Sequence, residues 1–276
     1  MDEHVIEAMG KAKIIVKDGK VVDVGDPQID YCPLFHKYRG IEKLDSESIK
    51  ENIEFRINDF GMCSPERNLK MKDFLSFGIS ETISTLLEEK IVDCAVIVCD
   101  GAGTVLITDP EEVQGIGGRI SGFMNTSPIP KVIETLGEIK VLDPVKASIN
   151  QIEGTKKAID KGFKNIAVTI ASSEDAEKLR ELEKSVNGVN IYIFAVHVTG
   201  ISEKEAQKLF DYSDVITACA SKHIREIGGK KSLLKVGESI PIFAVTENGK
   251  EFILRRVEKI GGLKAKKNAR SPEPLI

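Results

Sequence analysis

Two short stretches end in side chains that could do chemistry together. In "DVITACASKHIREIGG" an apolar run from Val215 to Ala218 gives way to Cys219, Ser221 and His223, and in "VNIYIFAVHVTG" another gives way to His197. If both runs are strands of one parallel sheet, their carboxyl ends lie about 5 Å apart as neighbours. Ligands of open parallel sheets sit beyond those ends. Cys219, His223 and His197 are therefore a candidate catalytic group, with His223 one turn after Cys219 if "SKHIREIGG" is helical. Two chemistries fit. Imidazole and thiolate together hold a transition metal, or a histidine activates Cys219, since only the thiolate attacks. The plain alternative is a buried cysteine behaving as a small hydrophobe, with His197 in the core.

A second group is Cys32, His36 and Cys63. Cys32 and His36 are four apart and would share one side of a helical turn. With Cys63 and a fourth ligand from elsewhere they could hold zinc or an iron–sulfur cluster. The alternative is two loop cysteines beside prolines. Cys94 and Cys99 are no pair, because residues five apart on a strand point to opposite faces; Cys94 reads as core.

The third feature is "QGIGGRISG", with Gly115, Gly117, Gly118, Arg119 and Ser121. Successive N–H groups in a glycine-rich turn can cradle an anion, and Arg119 could clamp a phosphate or carboxylate. Asp100 and Gly101, at the end of the run "IVDCAVIVC", would lie nearby, so these seven residues form a candidate site for a small anionic ligand. The pattern is neither a Walker loop nor the dinucleotide fingerprint. Tight turns alone would also explain the glycines.

The elements that must position these groups follow from periodicity. "AKIIVKDGKVVDV" predicts a β-hairpin turning at Asp-Gly. "PQIDYCPLFHKYRG" reads as loop, and 45–60 as a helix capped by Ser46. Residues 71–90 predict a helix, "IVDCAVIVC" and "TVLIT" strands, 109–130 a long loop, 131–137 a helix, "EIKVLD" a short strand and 146–161 a helix. Strands and helices then alternate: strand at "KNIAVTIAS", helix capped at Ser172 or Ser173, strand, helix with a Ser202/Glu205 capping box, strand "DVITACA", short helix, strand "IPIFAV", final helix. This grammar predicts an α/β fold, a doubly wound, mostly parallel sheet with helices on both faces. A small α+β module over 1–72, containing the hairpin, precedes the α/β domain over 73–264, which could divide into lobes at 73–160 and 161–264. Residues 265–276 form a tail, and the basic stretch "GLKAKKNAR" is expected to be solvated.

Composition bounds the function. Of 276 residues 41% are hydrophobic and 30% charged, with net charge −4. That supports a real core and argues against nucleic acid as a partner, since no basic excess exists to neutralise phosphates. The acidic N-terminus has no apolar signal region, and the longest apolar stretch, about ten residues, is too short to span a membrane. Five cysteines, an odd number, argue against a disulfide framework. A cytoplasmic protein is expected, and abundant Lys, Glu and Ile lean towards a thermophile.

"YCPLFHKYRG", "FGMCSPERNL", "CDGAGTVLITDPEEVQGIGGRISGFMNTSPIP" and "ITACASKHIREIGGK" together resemble the methanogenesis marker protein 8 family of archaea, over nearly the whole chain. The resemblance implies a cytoplasmic protein of methane-producing archaea acting near methyl-coenzyme M reductase, its maturation proteins or its cofactors; it brings no catalytic residues. Residues 74–130 are also similar to the beta subunits of deazaflavin-dependent hydrogenases, which bind flavin and iron–sulfur clusters. The ferredoxin-like cysteine runs are missing here, and Phe77-Gly78 replaces the usual double glycine. Three functions result: an enzyme or metal/cofactor-handling factor using the Cys/His groups and the glycine loop, a non-catalytic assembly protein gripping a partner through Tyr31, Phe35 and Tyr38, or a flavin or nucleotide carrier.

Overall fold

The computed structural model describes residues 2–73, 77–118, 122–263 and 269–276. The chain opens with β1 (Glu3–Glu7), β2 (Lys13–Lys17) and β3 (Lys20–Val24). β2 and β3 form the expected hairpin. Its two-residue turn, Asp18-Gly19, has φ of 47° and 71°, the left-handed pair that matches strand twist. Ile14 and Val16 of β2 point inward while Lys13 is exposed, the alternation of a half-buried strand.

The stretch read as loop contains a helix, α1 (Pro33–Arg39), started by Pro33 and stopped by Gly40 at φ +68°. Proline inside the start and glycine past the end is itself a helix signature. α2 (Ser46–Phe60) is capped by Asp45, which accepts the Ser48 N–H, while Ser46 is its first helical residue. The next helix, α3 (Ile79–Glu88), begins later than its expected start near 71.

β4 (Cys94–Cys99) and β5 (Gly103–Ile107) follow, and then the expected long loop proves to be structured. It holds α4 (Pro110–Gly117), with Asp109 as its N-cap, and β6 (Gly122–Thr126). α5 (Pro130–Leu136) leads into a 3-10 turn where a strand was expected, with one bridge from Val141 to Val105.

The remaining elements are α6 (Gln151–Asp160), β7 (Asn165–Ile170), α7 (Ser173–Ser185), β8 (Asn190–Ala195), α8 (Glu203–Tyr212), β9 (Val215–Thr217), α9 (Lys222–Lys231), β10 (Leu234–Val236), β11 (Ile242–Ala244) and α10 (Glu247–Lys259).

Seven strands make the main sheet in the order β10-β11-β9-β8-β7-β4-β5. The central four, β9, β8, β7 and β4, run parallel. β5 and β11 run antiparallel at the two sides. β11 was expected to continue the parallel run. β10, unforeseen, forms a hairpin with it and so reverses its direction. Side chains alternate to the two faces. Ala95, Ile97 and Phe194 pack under α3, α4, α5 and α10, while Val96, Ile191 and Ile193 pack under α6, α7, α8 and α9.

The second sheet has the order β3-β2-β1-β6. β1 was also unforeseen, and β6 reaches it from the middle of the chain, pairing antiparallel. Ile6, Ile14 and Val16 on its inner face meet Ile49 and Ile53 of α2 and Ala220 beyond β9. The end of the chain, expected only to be a tail, returns to this part of the molecule. Glu273 bridges Tyr31, and Ile276 donates to the Ala220 carbonyl at 2.9 Å.

Candidate functional site

A cavity of about 450 Å³ lies between the carboxyl ends of β8 and β9 and the N-terminal elements. Its wall draws on all three expected groups: His197 and Cys219 from the first, Cys32 from the second and Gly118 from the third.

His197 sits in the turn after β8 with φ +57°, a conformation in which histidine is enriched among non-glycine residues. Gly122 of β6 packs against the imidazole: a methyl group added there would lie 3.3 Å from its Cγ. The residue is exposed, its open surface facing the cavity, while protein crowds the ring on its other sides. That desolvation first, and Arg56 second, lower its pKa to about 4, so it is neutral at physiological pH. The unfolded chain then binds the extra proton between pH 6.5, the ordinary value, and about pH 4. The stability gained by keeping His197 neutral is complete above pH 6.5 and is lost as pH falls towards 4. Burial lowers the pKa of His4 as well, with the same sign. Replacing His197 with Asn, which tolerates the left-handed backbone, should flatten the acid side of the stability curve. Urea titrations of both chains between neutral pH and about pH 4 would measure it. Parallel curves would show that His197 is not the group responsible.

The two thiols are not prepared for attack. Burial pushes Cys219 up to about 12, nearby Cys32 adding to the effect and Arg225 opposing it. Burial also raises Cys32, against the N–H groups of Phe35 and Leu34. The Cys219 carbonyl is held by Arg225 through Nε at 3.0 Å and Nη2 at 2.6 Å. His223 lies outside this wall, in the first turn of α9, with Nδ1 3.8 Å from Glu226. Of the expected Cys219–His223–His197 group, Cys219 and His197 share the cavity wall and His223 is not part of it, and burial keeps Cys219 a thiol.

Cys32, His36 and Cys63 do not converge on one metal site. His36 is exposed, Cys32 faces the cavity, and Cys63 is fully buried in the hydrophobic cluster against which Cys32 packs. Among the described residues no group of three His, Cys, Asp or Glu side chains is placed to hold a metal ion. The expected zinc or iron–sulfur ligand set is therefore not assembled.

The expected anion site also separates. Asp100 is fully buried and accepts from Arg67 Nε at 2.9 and 3.0 Å and from the Cys63 N–H at 2.7 Å. Its oxygens are engaged in joining the loop after α2 to the end of β4. Gly101, at φ +77°, donates its N–H to Thr126 Oγ1 at 2.8 Å, tying β4 to β6. Gly115 and Gly117 lie inside α4, so their amides serve the helix. Gly118 reaches the cavity wall. Arg119 and Ser121 lie outside the described residues.

Sequence reasoning missed the cations of the cavity. Among the described residues Lys11, Arg39 and Arg56 line it, against Glu7 as a carboxylate. Lys11 Nζ donates to the Thr199 carbonyl at 2.8 Å and lies 3.7 Å from Glu7. The Arg39 guanidinium stacks 3.5 Å from the Phe55 ring centre, and Arg56 lies 5.6 Å from that of Phe35 while donating to Asn52 Oδ1 at 2.9 Å. The signal was present in α2. Asn52, Phe55 and Arg56 fall at i, i+3 and i+4, one face of a helix, beside the buried stripe of Ile49 and Ile53. α1 has no buried residue; Leu34, Phe35 and Tyr38 line the cavity, and Phe35 also packs against the N-terminal core.

Fold and site together define an α/β protein with a cationic, apolar-walled cavity at the carboxyl ends of its parallel strands. No helix among the described residues is long and apolar enough to cross a membrane. The chain belongs to an archaeal family described as "uncharacterized protein conserved in archaea (DUF2099)", which it matches over residues 4–258. It is similar to an uncharacterized protein of Methanocaldococcus jannaschii, 45% identical over 285 residues that cover the whole of both chains.

Proposed function

We propose that this protein binds an organic anion with a substantial apolar body and handles it as a cofactor or cofactor precursor. The observation that carries this reading is the cavity wall: Lys11, Arg39 and Arg56 set among Leu34, Phe35, Phe55 and Ile240. Cations in such a wall favour a negative group, and the apolar surface favours a ring or chain that leaves water. The volume, about 450 Å³, suits a ligand of cofactor size. Protonated thiols and a neutral imidazole favour binding over covalent catalysis. A flavin mononucleotide has the required form, a flat ring system with a phosphate. The likeness of the chain to the methanogenesis marker family points the same way, towards the cofactors or maturation proteins of methyl-coenzyme M reductase in an archaeal cytoplasm.

The test is fluorescence titration with two defined probes, 8-anilinonaphthalene-1-sulfonate and flavin mononucleotide, on the wild type, Arg39→Gln and Arg56→Gln. At least one probe is expected to bind stoichiometrically. Each substitution should weaken it about tenfold or more, the scale of one charge-assisted hydrogen bond. Failure of both probes to bind, or binding indifferent to both substitutions, would sink the reading.

A further inference from the structure

The segment 270–276 joins the two sides of the cavity that carry its cysteines. On one side Glu273 pairs with the residues before Cys32: its carbonyl accepts from Asp30 N at 2.7 Å and Tyr31 N at 3.0 Å, and its N–H donates to the Tyr31 carbonyl at 3.1 Å. On the other side the partners follow Cys219. Ile276 N donates to the Ala220 carbonyl at 2.9 Å, and Lys222 N donates to the Ile276 carbonyl at 2.8 Å. Two side chains add to the span. Arg225 Nη1 donates to Ser271 Oγ at 3.2 Å, and the Arg270 guanidinium lies 3.8 Å from the Tyr31 ring centre.

Between these anchors Pro272 is buried, the sole buried residue of 269–276, and it lies in the cavity wall. At the far end Ile276 packs, partly buried, against the core beneath the N-terminal sheet. Pro272 is buried as a stopper is.

We infer that residues 270–276 are a latch, and that its release opens the cavity for ligand exchange. The inference rests on the cavity being the ligand site. A segment held by a few backbone hydrogen bonds, one buried proline, a partly buried isoleucine and the exposed Arg270–Glu273 ion pair belongs to the low-stability end of a fold and opens without global unfolding. The N-terminal elements and the loop into α9 would separate there while both sheets stay intact.

The cavity thiols report this opening with no ligand present. Intact protein is treated with N-ethylmaleimide, and the alkylation rates of Cys32 and Cys219 are followed by peptide mass spectrometry. The variant Arg270→Ala/Ser271→Ala loosens the latch without touching the wall. It should label both cysteines about tenfold faster than wild type, while buried Cys63, Cys94 and Cys99 stay unmodified in both. Equal rates would overturn the latch.

If the variant labels all five cysteines it has lost its fold, and wild-type hydrogen exchange then decides. Latch opening requires the amides of Tyr31, Lys222, Glu273 and Ile276 to exchange together, well before those of β7 and β8. Protection equal to the sheet's, with Cys32 and Cys219 still labelled, would overturn it. The binding reading fails separately: gated labelling that neither probe slows would leave the latch standing and remove the ligand.

Discussion

Asp100→Ala is expected to be among the most damaging single changes in this chain. The Arg67 guanidinium is almost wholly buried, its Nε held by Asp100 and its Nη2 donating to the Gly115 carbonyl at 2.8 Å. Removing the carboxylate leaves a buried cation without its counter-charge and the Cys63 N–H without its acceptor. Breaking a buried pair from one side costs about 3–5 kcal/mol, against a total stability of roughly 5–15 kcal/mol. Denaturant titration should show the loss as a lower midpoint with an unchanged slope. The double replacement Arg67→Met/Asp100→Leu should recover much of it, since apolar residues of similar volume carry no desolvation penalty. A loss under about 1 kcal/mol in the single variant would mean that water reaches Arg67. Probe binding normalised to folded protein should be unaffected, because Asp100 does not line the cavity.

Gly115→Ala should be the second. A methyl group there would lie 2.1 Å from the Leu69 carbonyl oxygen and 2.4 Å from its carbon. Neither backbone can retreat easily. Arg67 bonds the Asn68 carbonyl on one side and the Gly115 carbonyl on the other, and Met71 N donates to the Glu111 carbonyl at 3.2 Å. Alanine gains about 1 kcal/mol of helix propensity, but overpacking costs about 1–3 kcal/mol and more where backbone must move. The net change should be destabilising. Gly117→Ala in the same helix is the control: its nearest neighbour would be Ser80 Cβ at an ordinary 3.6 Å. There propensity should win and the melting temperature should rise. If the two variants behave alike, the close approach at Leu69 is not what requires glycine.

These results bear on what could be read from residues alone. The alternation of "KNIAVTIAS", "NIYIFAV" and "DVITACA" with capped helices was legible because period and caps are local, and it placed His197 and Cys219 at neighbouring strand ends. The glycines at 115 and 117 were misread as a loop because their count was weighed above "DPEE", an N-cap and N1 proline that start a helix. Asp100 was misread because its partner, Arg67, lies 33 positions away, and no local pattern marks such a pair. β6 escaped for the same reason: it is five residues long and pairs with β1, over a hundred positions distant, while β1, equally short, pairs with the nearby β2 on its other edge. The cavity joins residues from Glu7 to Pro272, so its wall belongs to the tertiary fold and to no single motif.

The pairing of β1 with β6 has a consequence for how the chain is made. A ribosome releases residues 3–7 long before 122–126, so the first strand emerges with one edge unpartnered and waits for most of half the protein. The β2–β3 hairpin can form at once, because its turn is local, and it shields the other edge. Contacts of such long sequence separation form late, and the anchors of 270–276 to Tyr31 and Ala220 are later still. Nascent chains of increasing length should therefore gain a protected main sheet first, and a cavity that slows maleimide only after residues 270–276 have left the ribosome.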